Sequence, residues 1–132
     1  MTGVIDVSGA IEILLQRGKA GKFERALQEA AYVIAPDLYI SELTNTLWKY
    51  YSANQLTEDK CLQYIQKGIN LVDRFINSNE LWQQAFSEGI HNHHSIYDMF
   101  YLAVAKRSGG TLITNDSVLA GIGKKNNVTI CY

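Results

Sequence analysis

The chain has 132 residues, the usual size of one domain, since single domains most often run to roughly 100–150 residues. Its 47% hydrophobic and 19% charged residues are ordinary for a globular protein and exclude a disordered chain. The net charge of −1 supplies no overall positive field toward nucleic acid or anionic lipid, so any such binding must come from a local patch. We therefore expect a single globular domain over residues 1–132.

The cysteines and the N-terminus exclude further classes of protein. Cys61 and Cys131 lie 70 positions apart in the sequence, which fits neither a metal-ligand pair nor a disulfide framework. The opening segment Met1–Asp6 lacks the basic and apolar parts of a secretory signal. No apolar run approaches the roughly 20 residues of a membrane span. These features predict a soluble, cytoplasmic protein.

The first half of the chain alternates short β-branched runs with amphipathic segments. Gly3–Val7 predicts a first strand that reaches a carboxylate at Asp6, and Ser8 is the expected cap of the helix that follows. A second strand over 32–35 is expected to close at Pro36, which continues a strand poorly. The spacing of apolar residues predicts helices over 23–31, 41–54 and 57–72.

The second half repeats the same alternation. We expect strands over 74–76, 111–114 and 128–131, and helices over 79–89 and 95–107 with a short one ending at Lys125. Short apolar strands that alternate with helices indicate a parallel sheet covered on both faces. The chain is therefore expected to have an α/β fold.

Two acids follow predicted strands directly. Open parallel sheets form their sites outside the carboxyl ends of the strands, at the point where the strand order reverses. Asp6 after the first strand and Asp116 after the fourth are therefore expected on two sides of one crevice. The alternative is that each caps the next helix, which suits Asp6 less well because Ser8 is the better-placed cap.

Two more acids occupy predicted helices. Asp98 is the only charge in the apolar stretch Ile96–Ala105, and a buried carboxylate must be paired, protonated or bound to a metal. The alternative is a half-exposed position in the first turn, where a negative charge favours the helix dipole. Glu42 is expected to open its helix, with Asn45 and Lys49 on the same face. A polar face by itself indicates no more than contact with solvent.

The four acids and their neighbours resemble the PIN domains, and among them the VapC-type toxin ribonucleases of toxin–antitoxin pairs. The motifs cover the whole chain in the order of the family: VIDVS around Asp6, ISELTNTLWK around Glu42, IYDMFYLAVA around Asp98 and LITND ending at Asp116. The resemblance implies a three-layer sandwich, with helices on both faces of a parallel five-stranded sheet. It also implies divalent-metal-dependent cleavage of RNA.

The resemblance assigns roles to individual residues. Four carboxylates would hold Mg²⁺ or Mn²⁺ and carry the catalysis: Asp6, Glu42, Asp98 and Asp116. Polar residues would support them: Ser8, Thr114 and Asn115. Carboxylate oxygens suit these hard cations, and the ion would offset both the repulsion among the acids and the charge on the phosphate. Some relatives carry a further acid where this chain has Ser117 and Val118, so the number of metal ions stays open, as does the identity of the general base.

Basic and aromatic residues suggest the partners. We expect the RNA to be positioned by Lys49, Lys106, Arg107, Lys124 and Lys125, although the last four also suit the C-terminal ends of their helices. Trp48, Tyr50 and Tyr51 cannot all face one core contact, so we expect an interface with a second copy of the chain and with a small antitoxin. The alternative is that Trp48 and Tyr51 pack inside.

Three other functions stay open. The segment His91–His94 lacks the ligand spacing of a metal site and is expected to be a surface loop, but His93 or His94 would suit the general base of a metal-independent ribonuclease. A receiver-like or nucleotide-binding module would need an acidic cluster or a glycine-rich loop, which we do not find. A PIN-like protein that only binds a partner would have lost its catalysis, yet all four acids are present.

Overall fold

The computed structural model describes all residues, 1–132, and contains five strands and seven helices. In chain order the elements are β1 (Thr2–Ile5), α1 (Val7–Leu14), α2 (Ala20–Glu29), β2 (Tyr32–Pro36), α3 (Leu38–Ser52), α4 (Glu58–Asn70), β3 (Arg74–Ile76), α5 (Ser78–Asn92), α6 (Ile96–Ser108), β4 (Thr111–Ile113), α7 (Ser117–Lys125) and β5 (Thr129–Cys131). The predicted three-layer arrangement, a parallel five-stranded sheet between helices, is confirmed. None of the helices is long and apolar enough to cross a membrane.

The sheet has the strand order β3-β2-β1-β4-β5, and every neighbouring pair is parallel. The order reverses at β1, because the chain adds β2 and β3 on one side and β4 and β5 on the other. Ile5, the last residue of β1, is in register with Ile113, the last residue of β4. The residues that leave these two strands, Asp6 and Thr114, therefore emerge side by side at the reversal point, where open α/β sheets form their sites.

The central helix α6 determines much of the core. Its residues Met99–Ala105 are all buried, and the helix lies against β1, β2 and β4. On α3, Leu43 and Leu47 are fully buried, whereas Tyr51, one turn further along the helix, is 50% exposed. An apolar surface that surrounds a helix on all sides is typical of burial, so the composition of α6 predicted its position correctly.

Three differences from the expected helix ends concern residues near the site, and α2 also begins at Ala20, three residues before its predicted start. Helix α3 begins at Leu38, so Glu42 lies one turn inside the helix and does not open it. Helix α5 continues to Asn92, and His93 ends it with a left-handed φ of 52°. The expected loop at His91–His94 is therefore in part the last turn of a helix. The third difference is the cap of α1, where the carboxylate of Asp6 replaces Ser8.

Candidate active site

A cleft of about 350 Å³ opens where β1 and β4 end. All four predicted carboxylates line it, and each is supplied by a different part of the fold: Asp6 follows β1, Glu42 lies on α3, Asp98 lies in the first turn of α6, and Asp116 precedes α7. Residues that are far apart in the sequence thus meet in one place because parallel strands and their helices share an edge of the sheet.

Asp6 is the most deeply placed of the four, with 6% of its surface exposed. Its carboxylate accepts hydrogen bonds from Ser8 Oγ at 2.7 Å, Gly9 N at 2.8 Å and Thr114 Oγ1 at 2.6 Å. Burial nevertheless raises the pKa of Asp6 to about 6, and the charge of Asp98 adds to the rise. Asp6 therefore both caps α1 and lines the cleft. The two roles that the sequence analysis treated as alternatives are thus found together.

The polar residues that follow β4 connect the ends of β1 and β4. Thr114 Oγ1 donates to Asp6 and accepts from the backbone N of Asp116 at 3.0 Å. The backbone N of Asn115 donates to Ser8 Oγ at 2.8 Å. The start of α1 also lies close to the end of β4, since a Cβ atom on Gly9 would lie 2.9 Å from the carbonyl oxygen of Ile113. The three supporting residues predicted from the sequence thus position the acids on either side.

The two carboxylate oxygens of Asp116 have different surroundings. Its Oδ1 accepts from Val118 N at 2.9 Å and from Leu119 N at 3.1 Å, which caps α7. Its Oδ2 has no hydrogen-bond donor from the protein. One oxygen thus fixes the side chain while the other is free for a ligand in the cleft.

Glu42 is held by a residue that the sequence analysis missed. The buried Tyr101 donates its hydroxyl to Glu42 Oε1 at 2.6 Å. Burial raises the pKa of Glu42, the charge of Asp98 raises it further, and the bond from Tyr101 opposes the rise. Asp98 and Tyr101 are three residues apart on α6, so one face of this helix supplies both, a spacing that could have pointed to Tyr101.

Asp98 lies among the other acids. Its side chain is 29% exposed, so the expected half-exposed position in the first turn and a place in the cleft are both observed. Burial raises the pKa of Asp98, and Asp116 raises it further. His94 lowers it, with Nε2 3.6 Å from Oδ2. Neither Lys nor Arg forms an ion pair with any of the four carboxylates.

The cleft carboxylates are not gathered into a preformed metal centre, because no three His, Cys, Asp or Glu side chains are close enough to share one ion. The chemistry of the donor set nevertheless suits Mg²⁺ or Mn²⁺. The predicted ligands supply oxygen only, and Mg²⁺ keeps several waters and uses few protein ligands. Burial raises the pKa of Asp6, Glu42 and Asp98, and the charge of a neighbouring carboxylate raises each further, a repulsion that a divalent cation would relieve.

Two further charged residues line the cleft without having been predicted. Glu12 is 9% exposed and accepts from Asn115 Nδ2 at 2.8 Å. Arg17, in the turn after α1, is the single cation of the lining. Glu12 carried a signal that could have revealed it, because it is an isolated charge between Ile11 and Ile13, the pattern that drew attention to Asp98.

None of the five basic residues predicted to position RNA lines the cleft. Lys106 Nζ pairs with Glu88 Oε1 at 2.5 Å, and Arg107 donates to the carbonyl oxygen of Glu80 at 2.7 Å, both at the end of α6 away from Asp98. The others are exposed at the surface: Lys49, Lys124 and Lys125. Their role in RNA binding stays a prediction.

The aromatic residues of α3 divide between two environments. Trp48 and Tyr51 are 60% and 50% exposed, and Leu62 of α4 is 60% exposed. We call these three residues the α3–α4 patch. Tyr50 is half-buried and touches Arg17. The alternative in which Trp48 and Tyr51 pack inside is therefore wrong.

Comparison with known proteins identifies a family and several relatives. The model of the PIN domain family matches residues 3–125. Ribonuclease VapC3 of Pyrobaculum aerophilum is 27% identical over 119 residues, which are 89% of this chain and 91% of the relative.

Solved structures share the fold at lower identity. PAE2754 from Pyrobaculum aerophilum has a TM-score of 0.73 at 18% identity, covering 92% of this chain and 87% of its own. VapBC2 from Rickettsia felis, bound to a DNA fragment from its promoter, has a TM-score of 0.67 at 10% identity, covering 99% and 98%. FitAcB from Neisseria gonorrhoeae has a TM-score of 0.64 at 16% identity, covering 98% and 96%.

Proposed function

The chain belongs to the PIN domain family, and from this premise we propose that it is a divalent-metal-dependent endoribonuclease that hydrolyses phosphodiester bonds of RNA. The observation that carries the proposal is the meeting of four carboxylates in one cleft, none of them ion-paired with a Lys or Arg. The similarity to Ribonuclease VapC3 supports RNA as the substrate. We propose that residues 1–132 form a single nuclease domain that acts on RNA in the cytoplasm.

We propose that Mg²⁺ or Mn²⁺ is held in the cleft by its four carboxylates, some directly and some through the waters that the ion keeps: Asp6, Glu42, Asp98 and Asp116. When bound, the ion would favour the ionisation of water and offset the negative charge that develops on the phosphate. Ser8 and Thr114 would keep Asp6 in place, and Asn115 would support the loop of Asp116. Preorganisation of this kind limits the reorganisation needed during the reaction.

The half-exposed Asp98 is the carboxylate best suited to accept the proton of the attacking water. Burial and Asp116 raise its pKa toward the working pH, which favours a general base, and Asp98 accepts no hydrogen bond from the protein, whereas Asp6 accepts three. Glu42, by contrast, is held by Tyr101, and one oxygen of Asp116 is occupied by the cap of α7. These two are better suited to holding the cation.

The test is cleavage of RNA by the purified protein with Mg²⁺ or Mn²⁺ and with EDTA. We expect cleavage with the metal and none with EDTA, and we expect Asp98→Asn to be inactive under both conditions. Full activity in EDTA would overturn the proposal and favour a metal-independent enzyme with His93 or His94 as the base. An absence of both cleavage and Mn²⁺ binding would instead favour a protein that only binds a partner.

We also propose that the protein is the toxin of a toxin–antitoxin pair and that the α3–α4 patch receives the antitoxin. The three large exposed side chains of this patch are of the kind enriched at interfaces. The structural relatives VapBC2 and FitAcB support a partner of this kind. A cationic side chain of the antitoxin would pair with the acidic cleft. Co-expression of the adjacent gene should yield a complex that Trp48→Glu disrupts.

We propose a second copy of the chain as the partner of α5. Its residues Trp82, Phe86 and Ile90 follow at intervals of four and are 57%, 56% and 62% exposed, so they form one apolar stripe. A two-fold axis would place this stripe against its own copy. Size-exclusion chromatography should show a dimer that Phe86→Glu converts to a monomer and that Trp48→Glu leaves intact. A wild type that stays monomeric at high concentration would contradict the proposal.

A further inference from the structure

The cleft contains one cation, and that cation is not paired with any of the acids around it. Arg17 lines the cleft together with the carboxylates of Asp6, Glu12 and Glu42. No carboxylate oxygen lies within 4.0 Å of its guanidinium, since the ion pairs of the protein involve only His94 and Lys106. Arg17 is exposed. Its charge is therefore available to a ligand that enters the cleft.

The guanidinium is nevertheless held in position. It donates a hydrogen bond to the hydroxyl of Tyr50, and its Cζ lies 5.5 Å from the centre of the Tyr50 ring. Tyr50 in turn packs against the hydrophobic core, so it provides a firm support. The backbone of the turn is also fixed, because Arg17 N donates to the carbonyl oxygen of Glu12 at 2.9 Å and Ala20 N donates to that of Arg17 at 3.0 Å.

The arrangement of Arg17 and Tyr50 favours the binding of an anion and contributes little to the stability of the fold. A guanidinium has five N–H donors in a planar fork that matches phosphate, and the single bond to Tyr50 leaves most of them free. A hydrogen bond between two surface side chains contributes little to stability. An incoming RNA backbone, in contrast, meets five carboxylates in the cleft, and an arginine among them would lower that repulsion.

We propose that Arg17, held by Tyr50, forms a binding site for a phosphodiester group of the RNA next to the group that is cleaved. The inference rests on the proposed ribonuclease function and adds to it the residue that binds the substrate backbone. Arg17 contacts the phosphate, and Tyr50 is a positioning residue that acts through Arg17. Because phosphate contacts carry no sequence information, the site acts on any RNA that reaches the cleft.

The experiment measures the affinity for a fluorescein-labelled single-stranded RNA of mixed sequence by anisotropy over a range of salt concentrations. All proteins carry Asp98→Asn and are studied with Mn²⁺, so that the RNA is not cut. Arg17→Gln is expected to weaken binding about tenfold at low salt, as expected for a lost charge-assisted hydrogen bond. It should also reduce the slope of log affinity against log salt by about 0.7, the contribution of one phosphate contact on a single strand.

The matched control is Arg25→Gln, which removes the same charge from an exposed residue of α2 outside the cleft. It should change the affinity by less than about twofold and leave the slope unaltered, since charges remote from the contact are screened. Tyr50→Phe removes only the hydroxyl. It should weaken binding a few-fold with the slope unchanged, because the charge of Arg17 remains. Arg17→Lys should restore the slope but not the full affinity, since lysine lacks the planar fork.

The outcomes separate this inference from the proposed function. If the native chain cleaves RNA with Mn²⁺ and Arg17→Gln matches Arg25→Gln in both affinity and slope, the Arg17 site is overturned and the ribonuclease stands. If the native chain neither binds nor cleaves RNA with Mn²⁺, the proposed function fails and the site fails with it. A loss of affinity with the predicted change of slope, in a protein that melts at the normal temperature, supports the site.

Discussion

Asp6 in the cleft and Glu88 between α5 and α6 are both buried carboxylates, with 6% and 9% of their surfaces exposed. Their surroundings are opposite. Glu88 accepts from the ammonium of Lys106 at 2.5 Å and from Asn92 Nδ2 at 3.1 Å. Asp6 accepts three hydrogen bonds from neutral groups, and the charge of a further carboxylate, Asp98, adds to the rise that burial causes in its pKa.

The difference distinguishes Glu88, whose charge supports the fold, from the cleft carboxylates, whose charges are available to a ligand. A hydrogen-bonded ion pair is already neutralised, so a bound ion would add little stability to it. Carboxylates that repel one another are stabilised by any cation that binds among them. Helix α6 contributes to both regions, because Asp98 lies in its first turn and Lys106 in its last. Burial of a carboxylate alone therefore does not identify the site. The feature that identifies it is the absence of a Lys or Arg ion pair with its carboxylates.

The largest expected effect is on catalysis. Asp98→Asn should lower the rate of RNA cleavage by on the order of 10²–10⁴, the contribution of a general base. Glu88→Gln, a matched neutralisation of a buried carboxylate outside the cleft, should leave the rate within a few-fold. Initial rates with Mn²⁺ measure both. Equal losses in the two variants would show that the comparison between the regions is wrong.

The pH dependence of stability should also distinguish the cleft. Because the pKa of Asp6 is raised from 3.8 to about 6 in the folded state, the folded protein keeps a proton that the unfolded chain releases. The free energy of unfolding of the metal-free protein should therefore fall as the pH rises from about 4 to about 6, and Asp6 should contribute at most about 3 kcal/mol to this fall, since one unit corresponds to about 1.4 kcal/mol.

Urea titrations across this pH range measure that fall. Mn²⁺ should remove it by favouring the ionised carboxylates, and Asp6→Asn should reduce it because the contribution of Asp6 is gone. A wild type whose stability rises between these pH values in a manner that Asp6→Asn does not change would contradict the prediction.

Metal binding should stabilise the protein through the cleft alone. At a hundredfold excess of Mn²⁺ over its dissociation constant, the free energy of unfolding should increase by about 2.7 kcal/mol. Lys106→Met should show the same increase, and Asp98→Asn should show a smaller one. Thermal melts with and without Mn²⁺ provide the measurement. An undiminished response in Asp98→Asn would remove Asp98 from the metal site.

The smallest expected effects are on the metal-free protein, and here the two regions should respond with opposite signs. Lys106→Met should lower the free energy of unfolding by about 1–2 kcal/mol because it leaves Glu88 without its cation, a loss reduced by the partial exposure of Lys106. Asp98→Asn should leave it unchanged or raise it, by up to about 1 kcal/mol, because a repelling charge is removed. Urea unfolding in EDTA compares the two, and a clear loss of stability in Asp98→Asn would contradict the prediction.

The sequence predicts much of this molecule because its strands and helices follow local rules. Alternating apolar runs predict the parallel sheet, and an isolated charge in an apolar helix draws attention to Asp98. The cap of α1 could not be predicted in the same way. Ser8 is a good cap by residue type, but its hydroxyl donates to Asp6 because Thr114 and Asn115 arrive from β4 to complete the network.

The start of α3 and the role of Arg17 were also beyond local rules. The carboxylate of Asp37, which precedes α3, accepts hydrogen bonds from Ser78 at the start of α5 and makes no capping bond to its own helix. Arg17 is one of several exposed basic residues, and only the approach of Tyr50, 33 positions later, distinguishes it. In both cases the decisive partner is distant in the sequence.

The bonds between the two strand ends also set when the site can form. Thr114 and Asp6 are 108 positions apart, so their hydrogen bond closes a loop that contains most of the chain. Closing so long a loop is slow, because its entropic cost precedes any gain from the contact. A chain emerging from the ribosome carries Asp6 long before Thr114, so it has no complete cleft until β4 and the residues after it have been made. The same connection that fixes Asp6 thus delays the formation of the cleft until the last of its residues has been added.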